Sequence, residues 1–152
     1  EDPDKIEANN QGTRPFVVAK LSETYLLAAE AALASGNPSA AMDLINVLKR
    51  RAVNRPELSE PQRVARYDLI KLTSPTQVTL DFILDERTRE LAGECSRWPD
   101  LAVRNKLVER VRLYNSDGAP NVKDFHVRRP IPQSQLNNTV APNPQQFQNT
   151  GY

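Results

Sequence analysis

At 152 residues the chain has room for one domain with a sizeable core, and two independent domains would strain that length. Twenty basic side chains against 19 acidic ones leave a formal charge of +1, which is not the basic footprint of a nucleic-acid binder. One cysteine, Cys95, excludes an internal disulfide framework, no run approaches the roughly 20 apolar residues of a membrane span, and residues 1–15 lack the basic start and apolar centre of a leader peptide.

Residues 1–13 are polar and aperiodic and read as a loose arm, with one helical domain expected over residues 14–152. Helical spacing begins near Val17, where Leu21, Tyr25, Ala28 and Ala32 form an apolar stripe, and it ends at Gly36, the residue type favoured just past a helix. The alanines within residues 28–34 thin one face and let a second helix approach closely. Asn37 and Pro38 make a turn, Ser39 is placed as the cap of the next helix, and Ala41, Leu44, Ile45 and Leu48 give that helix its inward side. The two helices are expected to pair antiparallel. Lys49, Arg50 and Arg51 suit the negative end of the second helix and also offer countercharge to acids further along. Pro56, Pro61 and Pro75 punctuate residues 53–77, whose middle, EPQRVARYDLIKL, predicts one short helix.

Residues 79–101, TLDFILDERTRELAGECSRWPDL, organise the rest. Leu80, Ile83, Leu84 and Leu91 recur at helical spacing, while Arg87 and Glu94 fall where the same apolar stripe should continue. Glu86, Glu90 and Glu94 stand four apart, a repulsive ladder unless cations separate them. Acids and arginines on a core-facing stripe predict a polar network locked between packed helices, and its expected members are Glu86, Arg87, Glu90, Glu94, Arg97 and Asp100. Trp98 and Pro99 then make a corner. Pro99 starts a helix running to about Arg112, with Leu101, Leu107, Val108 and Val111 inward, and Asn115, Ser116, Asp117 and Gly118 form a turn. The proline- and amide-rich tail is expected to lie extended over the helices, pinned by Ile131, Leu136, Phe147 and Tyr152.

Paired glutamates suggest glycoside hydrolysis, but three of them stacked on one helix beside arginines fit an ion network better than a proton donor with an ionised partner. His126 is the only histidine, which removes a histidine-based metal cluster and leaves no base to spare for nucleophilic catalysis. Cys95, with no histidine nearby in sequence, reads as a small buried residue. Five glycines cannot supply a phosphate-cradling loop, so no nucleotide, metal or other cofactor is expected. Flat rings cover the C–H face of a sugar well, and among the aromatics Tyr67 and Tyr114 lie beside loops and are the candidate ligand contacts; Trp98 is placed in packing.

Four stretches in order carry a family resemblance: LSETYLLAAEA at residues 21–31 with GNP and the helix ending LINVLKRRA; ILDERTRELAGECSRWPDL at 83–101; RPIP at 129–132; and FQNTGY at 147–152. Together they resemble the C-terminal portion of the SusD/RagB family, outer-membrane nutrient-binding lipoproteins of Bacteroidetes polysaccharide utilisation systems. Cys95 and Ser96 depart from the family's usual small-then-variable pair, and Thr150 stands where a proline usually precedes the final Gly-Tyr. The resemblance implies an all-α fold of tetratricopeptide-like hairpins, no enzymatic activity, and capture of a glycan or oligosaccharide for a SusC-like TonB-dependent transporter at the outer membrane. It also implies a longer protein, held to the membrane only through a lipid anchor missing from this chain. The alternative is a tetratricopeptide-like adaptor that binds a protein in a groove between hairpins, which needs about three similar repeats where the sequence offers one clear hairpin.

Overall fold

A computed structural model describes residues 17–152, and the polar arm at 1–13 lies outside the described residues. These residues form seven α-helices and three short 3-10 turns, with no strand among them, as an all-α chain should. They divide into two compact units, the first ending at Glu90 and the second spanning Leu91–Tyr152.

The first unit opens with α1 (Leu21–Ala34) and α2 (Pro38–Val53), which pack as a hairpin. Gly36 sits at φ +76° just beyond α1, where its N–H reaches the Leu33 carbonyl (3.0 Å) and that of Asn37 reaches Ala32 (2.9 Å). The cap of α2 differs from expectation: Asn37, not Ser39, holds it, its side-chain oxygen accepting from the Ala40 N–H at 3.1 Å. Pro38 then occupies the first turn, where its missing N–H costs nothing. The inward stripe of α1 also differs. Ser22, Leu26 and Ala29 are buried while Leu21 is 72% exposed. Helix α1 is apolar nearly all round, so spacing leaves its phase open, and contact with α2 settles it by bringing the fully buried Ala29 and Ala41 into one core.

Next come α3 (Glu60–Ile70), a 3-10 turn over Pro75–Gln77, and α4 (Leu80–Glu90). Helix α3 packs on α2, and α4 packs on α1. Ala29, Ala41, Ile45, Leu72, Val78 and Ile83 form the shared core. One polar residue of α2 completes it: the Asn46 amide donates to the Leu72 carbonyl (3.0 Å) and accepts from the Leu72 N–H (2.8 Å), holding the chain after α3 as a strand neighbour would. Helix α4 begins at the Thr79 hydroxyl, which accepts from the Phe82 N–H at 3.1 Å.

In the second unit the helix expected from Pro99 to Arg112 is two: α5 (Arg97–Ala102) and α6 (Leu107–Tyr114). Asn105, at φ +55°, turns the chain between them, and the Lys106 N–H closes on the Leu101 carbonyl at 2.8 Å. Asparagine is among the few residues that tolerate this left-handed geometry, so the break costs little. Leu101 and Leu107 are buried on either side of it. Beyond α6 the chain holds 3-10 turns at Asp124–Val127 and Pro144–Phe147 and the short α7 (Gln133–Asn137). Leu136 is the tail's fully buried anchor, whereas Phe147 and Tyr152 are about half exposed.

Candidate functional site

The charged stripe is tied to neighbouring helices from its first residues. Glu86 accepts from Lys49 of α2 (3.4 Å) and from Arg89 one turn on (2.5 Å). Glu90 takes a two-pronged hydrogen bond from Arg51 of α2 (2.6 and 2.7 Å). Arg87, 2% exposed, donates to Glu23 of α1 at 3.3 Å. Lys49 and Arg51, near the end of α2, thus serve α4 as well as their own helix. Helix α4 stops at Glu90, and Gly93 (φ +83°) and Cys95 (φ +59°) turn the chain, so Glu94 stands in that turn and not on the helical ladder. Cys95 is exposed, against the buried position expected of it, because this turn replaces the helix end that would have packed it. Glu94, Arg97 and Asp100 belong to the second unit, where Asp100 pairs with Arg104 (3.5 Å). These arrangements tie α4 to α1 and α2 in the first unit and Asp100 to Arg104 in the second.

Concavity lies elsewhere. Between α2 and α3 the first unit has a cleft of about 620 Å³. Val47, Val53 and Val64 make its apolar wall and Arg50, Arg51, Arg63 and Lys71 its basic rim, with Tyr67 and Asp68 beside them. The Tyr67 ring is met by the Arg50 guanidinium, 4.9 Å from its centroid, and by the Lys71 ammonium at 5.9 Å. Of the two tyrosines singled out in the sequence, the structure sets Tyr67 in this cleft. Tyr114 is 71% exposed with Arg110 over its ring (5.4 Å), and it lines neither this cleft nor the one below. Among the described residues no group of three or more His, Cys, Asp or Glu could hold a metal ion.

A smaller cleft of about 350 Å³ in the second unit is lined by Trp98, His126, Arg129 and Tyr152, with the Arg129 guanidinium over the indole, 4.7 Å from its centroid. His126 is engaged locally, its ring nitrogen accepting from the Lys123 N–H (3.0 Å). The segments RPIP and FQNTGY meet here. Gln148 accepts from the Ile131 N–H (2.7 Å) and donates to the Ile131 carbonyl (3.0 Å); Asn149 donates to the Arg129 carbonyl, and the Tyr152 hydroxyl to that of Arg128, both at 2.7 Å. Phe125 packs edge-on against Tyr152, rings 5.0 Å apart. Gly151, at φ +103°, lies so close to Phe125 that a Cβ would overlap the ring.

The family model for the SusD family matches residues 1–152. The chain belongs to the SusD family. Two curated proteins of Formosa agariphila are similar to it: SusD-like protein P25, 32% identical over 79% of this chain, and SusD-like protein P38, 32% identical over 62%. The chain spans about a fifth of the length of these relatives, 21% and 18% respectively. No solved structure matches it. As a SusD-family chain it is all-α and tetratricopeptide-like. Among the described residues no helix is long and apolar enough to cross a membrane. The cleft at Tyr67 and the amide brackets of Asn46 and Gln148 had no sequence signal beyond residue type, because each joins residues at least 17 positions apart.

Proposed function

We propose that this chain is the C-terminal helical part of a non-catalytic, glycan-binding lipoprotein, displayed on the outer membrane, which captures an oligosaccharide and delivers it to a SusC-like TonB-dependent transporter. The observation that carries this is the match to the SusD family along residues 1–152. The ion pairs of Glu86, Arg87, Glu90 and Asp100 support it: with Glu94 and Arg97 these residues act as polar cross-links of a scaffold and not as reacting groups. Residues 14–152 serve as the family's C-terminal helical region, and no cofactor takes part.

The test is native gel electrophoresis of the full-length protein through gels carrying single polysaccharides, combined with affinity purification from its own outer membrane. Retardation by a polysaccharide that is not shortened on incubation, and co-purification of a TonB-dependent transporter, are the expected results. Release of reducing sugar that vanishes in Glu90→Gln would replace this reading with a hydrolase. Capture of a protein in place of any glycan would favour an adaptor.

A further inference from the structure

We propose that the cleft between α2 and α3 is an anion-selective sugar subsite, taking a uronate or sulfated pyranose, with the Arg50 guanidinium as its oxyanion fork and Tyr67 as the surface that orients that fork. The proposal rests on the glycan-capture reading above and adds a place and a ligand chemistry to it.

The charge balance of the cleft singles out Arg50. Arg51 is clasped by Glu90 at 2.6 Å, Lys71 by Asp68 at 2.6 Å, and Arg63 faces Glu60 at 3.7 Å while its Nε donates to the Arg55 carbonyl at 3.1 Å. Each of those cations has its carboxylate. Arg50 has none among the described residues; its contact is the face of Tyr67. The rim therefore carries one positive charge more than its local acids neutralise.

Geometry makes that charge useful. A guanidinium held over a ring is attracted through its charge and not through a hydrogen bond, so its N–H donors stay available as the planar fork that matches a carboxylate or sulfate. Tyr67 thereby holds a flexible side chain in one orientation before any ligand arrives, which lowers the entropy lost on binding. The valine wall is the complement of a pyranose C–H face, and a volume of about 620 Å³ lies within the range of about 300–1,000 Å³ typical of ligand sites. A neutral sugar needs acceptors as well as donors for its hydroxyls. Here four cations line the cleft against two acids, Glu60 and Asp68, which face Arg63 and Lys71, so donors predominate.

The experiment uses the full-length protein in affinity gels containing polygalacturonate or ι-carrageenan, with amylopectin and galactomannan as neutral probes. Arg50→Gln, Arg50→Lys and Tyr67→Leu are compared with Arg66→Gln, which removes an equal charge from exposed α3 outside the cleft lining. Retardation by an anionic probe is expected. It should weaken at least tenfold in Arg50→Gln and severalfold in Arg50→Lys and Tyr67→Leu, stay within twofold in Arg66→Gln, and fall as salt rises. Polygalacturonate against ι-carrageenan tells carboxylate from sulfate. Equal binding by Arg50→Gln and the unsubstituted protein overturns the site. Retardation by neutral probes alone overturns the ligand class while the glycan reading stands. No retardation by any polysaccharide removes both. Melting temperatures of the variants, each exposed or half-buried, establish that they are folded.

Discussion

Arg87 is the sharpest point at which to test the scaffold. Its side chain is 2% exposed and donates across from α4 to Glu23 of α1, which is 32% exposed. Removing one member of a buried pair typically costs about 3–5 kcal/mol, since the other charge is stranded and a cavity opens. Water reaches the Glu23 carboxylate, which places Arg87→Ala at the lower end, about 3 kcal/mol. At about 2–4 °C per kcal/mol for a chain of this size, the melting temperature should drop by about 6–12 °C, read by circular dichroism at 222 nm. Arg87→Met keeps most of the bulk and loses only the charge, so it should fall between the two. Adding Glu23→Leu to Arg87→Met should recover part of the loss, because an ion pair replaced on both sides by apolar groups is often close to neutral. A melting temperature for Arg87→Ala within 1 °C of the unsubstituted protein would refute the claim that α1 and α4 are cross-linked through this side chain.

Asn46→Leu should cost about 2–3 kcal/mol in urea denaturation, since it orphans both backbone groups of the buried Leu72, and hydrogen exchange at the Leu72 amide should speed up in step. Asn37→Ala should cost about 1 kcal/mol through loss of the α2 cap, and Asn37→Asp should be nearly silent. Gly151→Ala forces both a left-handed alanine and a clash with Phe125, so trypsin should cut at Arg128 faster than in the unsubstituted protein. The circular dichroism of the helices should be unchanged in that variant.

What could be read from the sequence was local. Gly36, Asn37 and Pro38 announce a helix end and a turn because their backbone preferences do not depend on distant contacts. Ala41, Ile45 and Leu48 fall on the buried face of α2 because the opposite face is polar. Helix α1 lacks that contrast, so the stripe Leu21, Tyr25, Ala28 and Ala32 lies one position away from the buried Ser22, Leu26 and Ala29. The ladder of glutamates requires a helix continuing to Glu94, whereas Gly93 and Cys95 adopt left-handed backbone, a conformation no hydrophobic period reports. Tyr67 was visible as an aromatic near a loop. The Arg50 beside it, 17 residues earlier, was hidden among three cations that each also suit a helix end.

The C-terminal clamp shows why a short motif can be demanding at some positions and open at others. Gln148 and Asn149 hold Ile131 and Arg129 through backbone groups, and Tyr152 holds the Arg128 carbonyl, so the partner segment is gripped without regard to most of its side chains. Gly151 is confined by its φ and by Phe125. Thr150, exposed between these residues, contributes none of the hydrogen bonds that hold the clamp, which accounts for a threonine standing where the family usually has proline. The identity of the motif therefore lies in amide geometry, one glycine and one phenol. Side chains on the gripped segment are left free for other work: Arg129, held by its carbonyl, places its guanidinium over Trp98 at 4.7 Å and closes one side of the smaller cleft.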